Sequence, residues 1–236
     1  MVRAFFVSQI IMIIKKIRSI LSSLKRKVKA DDKFLKDISG VIHIGANYGQ
    51  EKGSYRNNDL DVVWVEPIPE IFSELEKGLK NYPKQKAYQE LVTDVDGKEY
   101  DFKVANNKGA SSSILDLKEH KDMWPDIKYE KSLKIKSTTL STLVTKYNID
   151  LDKYQALIMD TQGSELLVLA GALPILNQFK YIKTEVSDFE AYVNCCQLND
   201  VDAFMKTNGF QELSKRKFAT REAGGSYYDV IYHKEA

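Results

Sequence analysis

Residues 41–51 read VIHIGANYGQE, a short β-rich run that leads directly into a turn with two glycines. Glycine lets the backbone approach a ligand that a Cβ atom would push away. A stretch typical of a helix follows, so the segment predicts the strand, tight turn and helix that begin an α/β domain. Taken alone, the turn is equally compatible with a structural role, since dinucleotide-binding folds contain similar turns.

A second β-rich run, residues 62–65, ends at Glu66. Glu66 lies about 20 residues beyond Gly45, the separation at which a carboxylate sits beside such a turn and accepts the hydroxyls of a ribose. The third glycine that seats a pyrophosphate in dinucleotide-binding enzymes is absent. A nucleoside without phosphates is therefore the expected ligand, and an NAD-dependent oxidoreductase is the alternative.

The rest of the chain alternates short β-rich runs with helical stretches, which is typical of a parallel sheet covered by helices on both faces. Five strands are predicted, near residues 41–44, 62–65, 87–93, 156–159 and 181–186. Asp96-Gly97 predicts a hairpin turn between residues 91–93 and 100–104, and residues 94–140 are interpreted as an insertion or a lid. A helix near 198–207, ended by Asn208-Gly209, precedes a terminal hairpin formed by residues 210–213 and 227–232.

The composition of the 236-residue chain, 43% hydrophobic and 29% charged, is that of a globular protein. The net charge of +2 hides an asymmetry, because residues 1–30 contain eight Lys or Arg and no acid. The remaining residues are acidic overall, which disfavours nucleic acid as a partner. Cys195 and Cys196 match no zinc or redox spacing, so a reduced cytoplasmic protein is expected.

Residues 1–32 are predicted to form a basic amphipathic helix. The apolar run from Ala4 to Ile14 is too short for a membrane span, which needs roughly 20 residues. Apolar residues continue beyond it at helical spacing, with Lys and Arg between them. We expect this helix to bind an anionic membrane surface, which would hold the protein on the inner face of the membrane. Packing on the domain, or on a second copy in a homodimer, is the alternative. Residues 33–236 are the predicted catalytic domain.

Several motifs together resemble the FkbM-type S-adenosylmethionine-dependent methyltransferases. The similarity joins residues 41–51 to VWVEP at 63–67, LIMDTQGSELLVLAGA at 157–172 and TEV at 184–186, and it covers about residues 38–235. S-adenosylmethionine contains a ribose and an adenine but no phosphate, in agreement with the turn. The resemblance implies a Rossmann-like class I methyltransferase fold, an α/β domain with a seven-stranded, mostly parallel sheet whose last strand is antiparallel.

The resemblance also implies the cofactor site. Its candidate residues lie at and after the strand ends: His43, Gly45, Ala46, Asn47, Gly49, Glu51, Glu66, Pro67, Asp94, Ser112, Ser113, Asp160 and Gln162. Asp94 is expected near the adenine amino group, with a turn-forming role as the alternative, and Ser112 and Ser113 near the adenine or a lid. His43 stands where many family members have an acid. It is expected either to pair with Glu51 and position the methionine end, or to form a structural hydrogen bond.

Methyl transfer to a hydroxyl requires alignment of donor and acceptor and removal of a proton. The candidate bases are carboxylates at the C-terminal ends of the strands, where ligands bind in open α/β sheets. Asp160 is the first candidate catalytic residue and Glu185 the second, with Gln162 and Asp188 nearby. Capping of a helix is the alternative for each acid. Asp160, Glu185 and Asp188 together also suit a magnesium ion, and no metal is assigned.

The expected acceptor is a saccharide hydroxyl, in a surface glycan or a lipid-linked oligosaccharide. The resemblance implies O-methylation of sugars or of secondary metabolites, and a membrane-bound tail favours the former. Residues 105–135 are rich in polar and aromatic side chains that suit a sugar, although a variable solvated loop is the alternative. A secondary-metabolite hydroxyl remains open as the acceptor. A catalytically inert nucleoside-binding module that recruits a glycosyltransferase partner also remains open.

Overall fold

The computed structural model of the chain describes residues 32–234. Apart from Asp32, the amphipathic helix predicted for residues 1–32 lies outside the described residues, and so does its predicted membrane contact. The chain divides into two units, Met1–Asp37 and Ile38–Ala236. A 3-10 helix, Asp32–Asp37, belongs to the first unit. The second unit contains the predicted sheet.

Ten strands are described in this second unit. They are β1 Gly40–Ile44, β2 Asp61–Val65, β3 Gln85–Tyr88, β4 Leu91–Val92, β5 Glu99–Ala105, β6 Tyr129–Thr138, β7 Ala156–Met159, β8 Tyr181–Ser187, β9 Gln211–Thr220 and β10 Ser226–His233. Seven of them form the main sheet, in the order β3-β2-β1-β7-β8-β10-β9. The neighbours from β3 to β8 are parallel, and β10 is antiparallel to both β8 and β9. The predicted seven-stranded sheet with an antiparallel last strand is confirmed.

Helices cover this sheet. They are α1 Lys52–Asn57, α2 Pro69–Gly78, α3 His120–Met123, α4 Leu140–Lys146, α5 Glu165–Ala172 and α6 Leu198–Thr207, with 3-10 helices at Leu151–Lys153 and Leu173–Gln178. Leu143, Val168 and Val201, from α4, α5 and α6, pack in one cluster with Ile42 and Leu157 of the central strands. β1 and β7 are buried along their whole length, and their sequences are accordingly apolar except for His43 in β1. The predicted helix at 198–207 and the terminal hairpin are confirmed.

The strand predicted near 87–93 is in fact two strands in two sheets. β3 ends at Tyr88 in the main sheet, whereas β4 begins at Leu91 and belongs to a three-stranded sheet of order β4-β6-β5. The hairpin predicted between residues 91–93 and 100–104 is wrong, because β6 lies between β4 and β5. Asp96 instead accepts hydrogen bonds from the Thr139 N–H at 2.6 Å and the Thr142 hydroxyl at 2.8 Å, at the start of α4. Its side chain thus caps a helix.

Within residues 32–234, every helix is too short or too polar to cross a bilayer.

Candidate active site

The turn after β1 is fixed between the ends of two neighbouring strands. Gly45, Asn47 and Gly49 have positive φ angles of 80°, 46° and 63°, in the left-handed region that favours glycine. A Cβ atom on Gly45 would lie 2.0 Å from the carbonyl oxygen of Asp160, so only glycine lets the turn pass the loop after β7. The N–H groups of Gly45 and Ala46 both donate to the Val65 carbonyl at 3.0 Å. The turn therefore lies at the edge of the sheet where α/β proteins bind ligands.

The Glu66 carboxylate ties this turn to the loop after β2. It accepts the Asn47 N–H at 2.8 Å on Oε2 and the Ile68 N–H at 2.9 Å on Oε1. The side chain is only 4% exposed. Burial raises the pKa of Glu66 to about 7, the two backbone hydrogen bonds act in the opposite direction, and nearby Asp160 raises it further. An ionised carboxylate has about four acceptor positions. These two backbone hydrogen bonds thus leave about two acceptor positions on the ionised carboxylate.

His43 is a buried residue of β1, just before the turn. Its Nδ1 lies 3.0 Å from the Tyr55 hydroxyl, and its ring stacks on Trp64 with the ring centres 4.9 Å apart. Burial, and to a smaller extent the charge of Lys183, lowers the pKa of His43 to about 3. The ring is therefore neutral at physiological pH, and its predicted pairing with Glu51 stays a prediction. The contact with Tyr55 is of the structural kind, and cofactor contact by His43 stays a prediction.

Asp160 directly follows β7. Its N–H donates to the Ile44 carbonyl at 3.1 Å, which holds it beside the turn after β1. Its Oδ1 accepts a hydrogen bond from Gln162 Nε2 at 2.5 Å, and the side chain is half-buried. Burial is the largest cause that raises the pKa of Asp160 to about 7, and the bond from Gln162 opposes it. A carboxylate with a pKa near neutral is suited to accept a proton at physiological pH.

Other carboxylates surround Asp160. Glu165, Glu51 and Asp229 each raise the pKa of Asp160 through their charge, and Asp160 raises that of Glu66. These carboxylates make the surroundings of Asp160 acidic, although Asp229 is paired with Arg216 of β9. An acidic site favours a cationic ligand over a phosphate-containing one.

Glu165, the first residue of α5, holds the loop after β7, although the sequence analysis did not select it. Its Oε1 accepts the Thr161 N–H at 3.0 Å and the Thr161 hydroxyl at 3.1 Å, and both oxygens lie within 3.2 Å of the Gly163 N–H. Cys196 Sγ lies 3.4 Å from Oε2. Glu165 is 1% exposed, and burial raises its pKa. The available signal was an acid two residues after Gly163, which an ordinary helix start also shows.

Residues 106–113 run from the turn after β1 to the loop after β7. At one end the Lys108 carbonyl accepts a hydrogen bond from Asn47 Nδ2 at 3.1 Å, and at the other Ser113 Oγ donates to the Gln162 carbonyl at 2.9 Å. The Ser112 hydroxyl accepts the Ala105 N–H at 2.9 Å. Both serines therefore hold this segment in place beside the candidate site. Their contact with a cofactor stays a prediction.

Asp94 is separated from the end of the third main-sheet strand. β3 ends at Tyr88, so Gln89 and Glu90 follow it, whereas Asp94 is exposed and follows β4 of the small sheet. The Asp94 Cα would lie 3.4 Å from a Cβ atom on Gly171, near the end of α5. The adenine contact assigned to Asp94 stays a prediction. The residues that follow the third main-sheet strand are Gln89 and Glu90, and not Asp94.

A cleft lies beside the loop after β7, at the end of β8. It is small, with a cavity volume of about 10 Å³, which is room for about one water molecule. Its walls include Gln162, Glu185, Ser187, Tyr192, Cys196 and Tyr227. Glu185, the second candidate base, is thus on the wall of this cleft.

The Asp188 carboxylate is held by hydrogen bonds from β10. Its carboxylate accepts the Ser226 N–H at 2.6 Å and the Tyr228 hydroxyl at 3.0 Å, which fixes the loop after β8 to β10. Across residues 32–234, no three His, Cys, Asp or Glu side chains are grouped as metal ligands.

Residues 43–212 match the FkbM methyltransferase domain family. A curated relative, the 2-O-methyltransferase NoeI of Sinorhizobium fredii, is 23% identical over 160 residues, which are 64% of this chain. The match spans 65% of the length of that relative.

Two solved structures share the fold. An uncharacterized protein of Listeria monocytogenes serotype 4b has a TM-score of 0.51 at 10% identity, over 89% of this chain and 66% of that one. The METTL16 methyltransferase domain has a TM-score of 0.50 at 8% identity, over 89% of this chain and 64% of that one. At such low identity these likenesses concern the fold alone, and the predicted Rossmann-like class I methyltransferase fold is confirmed.

Proposed function

The chain belongs to the FkbM methyltransferase family, and from that membership we propose that it transfers a methyl group to a hydroxyl of a saccharide. The cofactor of this methyltransferase domain is S-adenosyl-L-methionine. One observation carries the proposal: the Asp160 carboxylate lies beside the glycine turn and is bonded to Gln162, which lines the cleft at the end of β8. The name of the NoeI relative supports oxygen as the methylated atom.

The residues around Glu66 fit S-adenosyl-L-methionine. Two acceptor positions remain on the Glu66 carboxylate, which suits the two hydroxyls of a ribose. The acidic surroundings favour a sulfonium cation and disfavour a pyrophosphate. We therefore assign Glu66, Asn47 and the backbone from Gly45 to Gly49 to cofactor binding. When bound, the cofactor supplies an electrophilic methyl group.

Asp160 is the general base in this proposal. Because its Oδ1 is bonded to Gln162, Oδ2 is the oxygen that accepts the proton of the acceptor hydroxyl. Positioning of the reactants contributes on the order of 7–11 kcal/mol to such a reaction, and a base adds roughly 10²–10⁴-fold. Glu185, on the cleft wall, is the second candidate for the same role.

The surface around the cleft at the end of β8 is the proposed acceptor site. Tyr192 and Tyr227 in the cleft walls are nearly fully buried, whereas Trp124, which packs against Tyr227, is exposed and offers its ring to a ligand. Aromatic faces pack on sugar rings, and neighbouring polar groups bind sugar hydroxyls. These features support a saccharide acceptor over a fully apolar one.

The test combines binding and transfer. Calorimetry of the full chain with S-adenosyl-L-methionine and with S-adenosyl-homocysteine measures cofactor binding, and radiolabelled cofactor with a cell glycan extract measures transfer. We expect binding of both compounds and label in the saccharide fraction. Binding without transfer to any extract would favour the inert nucleoside-binding module, and label confined to non-saccharide metabolites would favour a secondary-metabolite acceptor. Absence of binding to either compound would contradict the enzyme.

We propose in addition that residues 1–30 bring the enzyme to an anionic membrane surface. This proposal rests on their sequence, with eight Lys or Arg and no acid. Each basic residue near an anionic surface contributes about 1 kcal/mol to binding. Replacement of Lys25, Arg26, Lys27 and Lys29 by Gln should therefore reduce co-sedimentation with phosphatidylserine vesicles by about 100-fold or more. Unchanged partitioning would end the membrane proposal without affecting the catalytic one.

A further inference from the structure

Gln162 is held in an unfavourable backbone conformation at the candidate site. Its φ angle of 54° lies in the left-handed region, which side chains other than glycine seldom adopt. The Ser113 hydroxyl donates to its carbonyl at 2.9 Å, and the next N–H, that of Gly163, is bound by Glu165. Non-glycine residues that keep such a conformation are common at functional sites, where the surroundings enforce it.

The side-chain amide of Gln162 lies between two polar groups. Its Nε2 is 2.5 Å from Asp160 Oδ1, and its Oε1 is 2.6 Å from the Tyr192 hydroxyl. An ionised carboxylate can only accept a hydrogen bond, so it requires the amide N–H. A protonated carboxyl can instead donate to the amide oxygen. The orientation of this amide therefore decides which form of Asp160 is stabilised.

Tyr192 determines that orientation. A phenol donates more readily than it accepts, because its oxygen lone pair is delocalised into the ring. The Tyr192 hydroxyl donates to Gln162 Oε1 at 2.6 Å, and burial raises the pKa of Tyr192 well above its ordinary value. The hydroxyl therefore stays protonated and remains a donor to Gln162.

We propose that Tyr192 is a positioning residue for Asp160: by donating to the Gln162 oxygen, it turns the amide N–H towards the carboxylate and stabilises the ionised form. The inference depends on the proposed function only for the role of Asp160 as the base. Tyr192 also lies in the wall of the cleft beside Gln162, where it is buried.

The orientation of the amide matters because the groups facing Asp160 from other elements are acidic. They lie before α1, after β2, in α5 and in β10: Glu51, Glu66, Glu165 and Asp229. Glu165, Glu51 and Asp229 disfavour the ionised form of Asp160 through their charge, although Asp229 is paired with Arg216 of β9, and the bond from Gln162 acts against them. The hydrogen bond from Gln162 therefore helps to keep the proposed base ionised.

The test is a ¹³C NMR titration of the full chain labelled at the aspartate carboxyl carbons, with the Asp160 signal identified by its absence in Asp160→Asn. In Tyr192→Phe only the hydroxyl is lost, and the amide becomes free to turn its oxygen to a protonated Asp160. We expect the midpoint of the Asp160 titration to rise by about 0.5–1 pH unit. Tyr232→Phe is the matched control, since it loses a buried hydroxyl bonded to Asp202, and its Asp160 midpoint should stay that of the wild type.

An unchanged or lower midpoint in folded Tyr192→Phe would overturn the proposal. Should that variant fail to fold, Gln162→Met provides a second test, because methionine has a similar length and no N–H. Its Asp160 midpoint should rise by about one pH unit, and an unchanged midpoint would again overturn the proposal. The titration requires neither cofactor nor acceptor. Its result is therefore separate from that of the transfer assay, which tests Asp160 as the base.

Discussion

Glu66 and Glu165 are both buried carboxylates at the C-terminal edge of the main sheet, and both accept backbone N–H groups, but they differ in what they join. Glu66 joins two separate loops through Asn47 and Ile68. Glu165 accepts from its own loop, at Thr161 and Gly163.

The two carboxylates also differ in how many acceptor positions remain. Two protein hydrogen bonds on Glu66 leave about half of its acceptor positions for a ligand. The bonds from Thr161, Gly163 and Cys196 fill those of Glu165. We infer that Glu66 serves the cofactor and Glu165 serves the shape of the loop that carries Asp160. The same residue type, at similar burial, has two uses.

The largest effect is expected at Asp160, which lies in the loop after β7 that Glu165 holds in place. Asp160→Asn removes the proposed proton acceptor but keeps the size of the side chain, so turnover should fall by about 10²–10⁴-fold. Affinity for S-adenosyl-homocysteine should change by less than about threefold, which is below 1 kcal/mol. Radiolabel transfer and calorimetry measure the two quantities. Full turnover in this variant would move the role of base to Glu185.

A smaller effect, confined to cofactor binding, is expected at Glu66, whose carboxylate keeps acceptor positions for a ligand. Glu66→Gln removes one acceptor and directs an NH₂ group at a backbone N–H, so the dissociation constant of S-adenosyl-homocysteine should rise by about 10–100-fold. Glu165→Gln is the matched variant, because the acceptor positions of Glu165 are filled by protein groups. Its dissociation constant for S-adenosyl-homocysteine should stay close to that of the wild type. Equal losses of affinity in the two variants would break the distinction between them.

The reaction rate and the stability of the protein should both depend on pH through Asp160. Burial raises the pKa of Asp160 to about 7, so kcat/KM should fall about tenfold for each pH unit below that value. The folded chain also binds more protons than the unfolded chain between the ordinary carboxyl pKa and about 7. The contribution of Asp160 to stability therefore declines as pH rises through this window. Rate profiles and thermal unfolding at pH 5–8 measure both, and a pH-independent rate in this range would contradict the assignment.

The smallest expected effect concerns stability. Glu165→Gln replaces one of two acceptors by a donor beside the Gly163 N–H, which should lower the free energy of unfolding by about 1–3 kcal/mol. Denaturant titration of this variant and of Glu66→Gln measures the difference. A wild-type stability for Glu165→Gln would show that the loop keeps its shape without that carboxylate.

The sequence predicted the features that have a local or fixed-spacing signal. The glycine turn and Glu66 follow from a known separation along the chain, and the helix at 198–207 follows from its apolar period and its Asn-Gly end. The antiparallel last strand was implied by the family resemblance and agrees with the terminal hairpin.

The features that the sequence did not predict depend on distant partners. The run at 87–93 has continuous β propensity, and nothing local reveals that β3 and β4 pair in different sheets. Asp96-Gly97 is typical of a hairpin, but the same acid also caps a helix that begins more than 40 residues later along the chain. Glu165 resembles an ordinary acid at a helix start, because its partners at Gly163 and Thr161 are visible only once the loop is folded.

The position of β6 between β4 and β5 has a consequence for how the chain reaches this structure. β4 is complete at Val92, yet its partner residues, Ser137 and Thr138, are at the far end of β6. Pairings that close such long loops form late, since the entropy of closure is lost before the contact is gained. The segment at 106–113, which joins Asn47 to Gln162, lies within that loop. We therefore expect the cofactor turn to acquire its structure earlier in folding than the connection that joins it to the base.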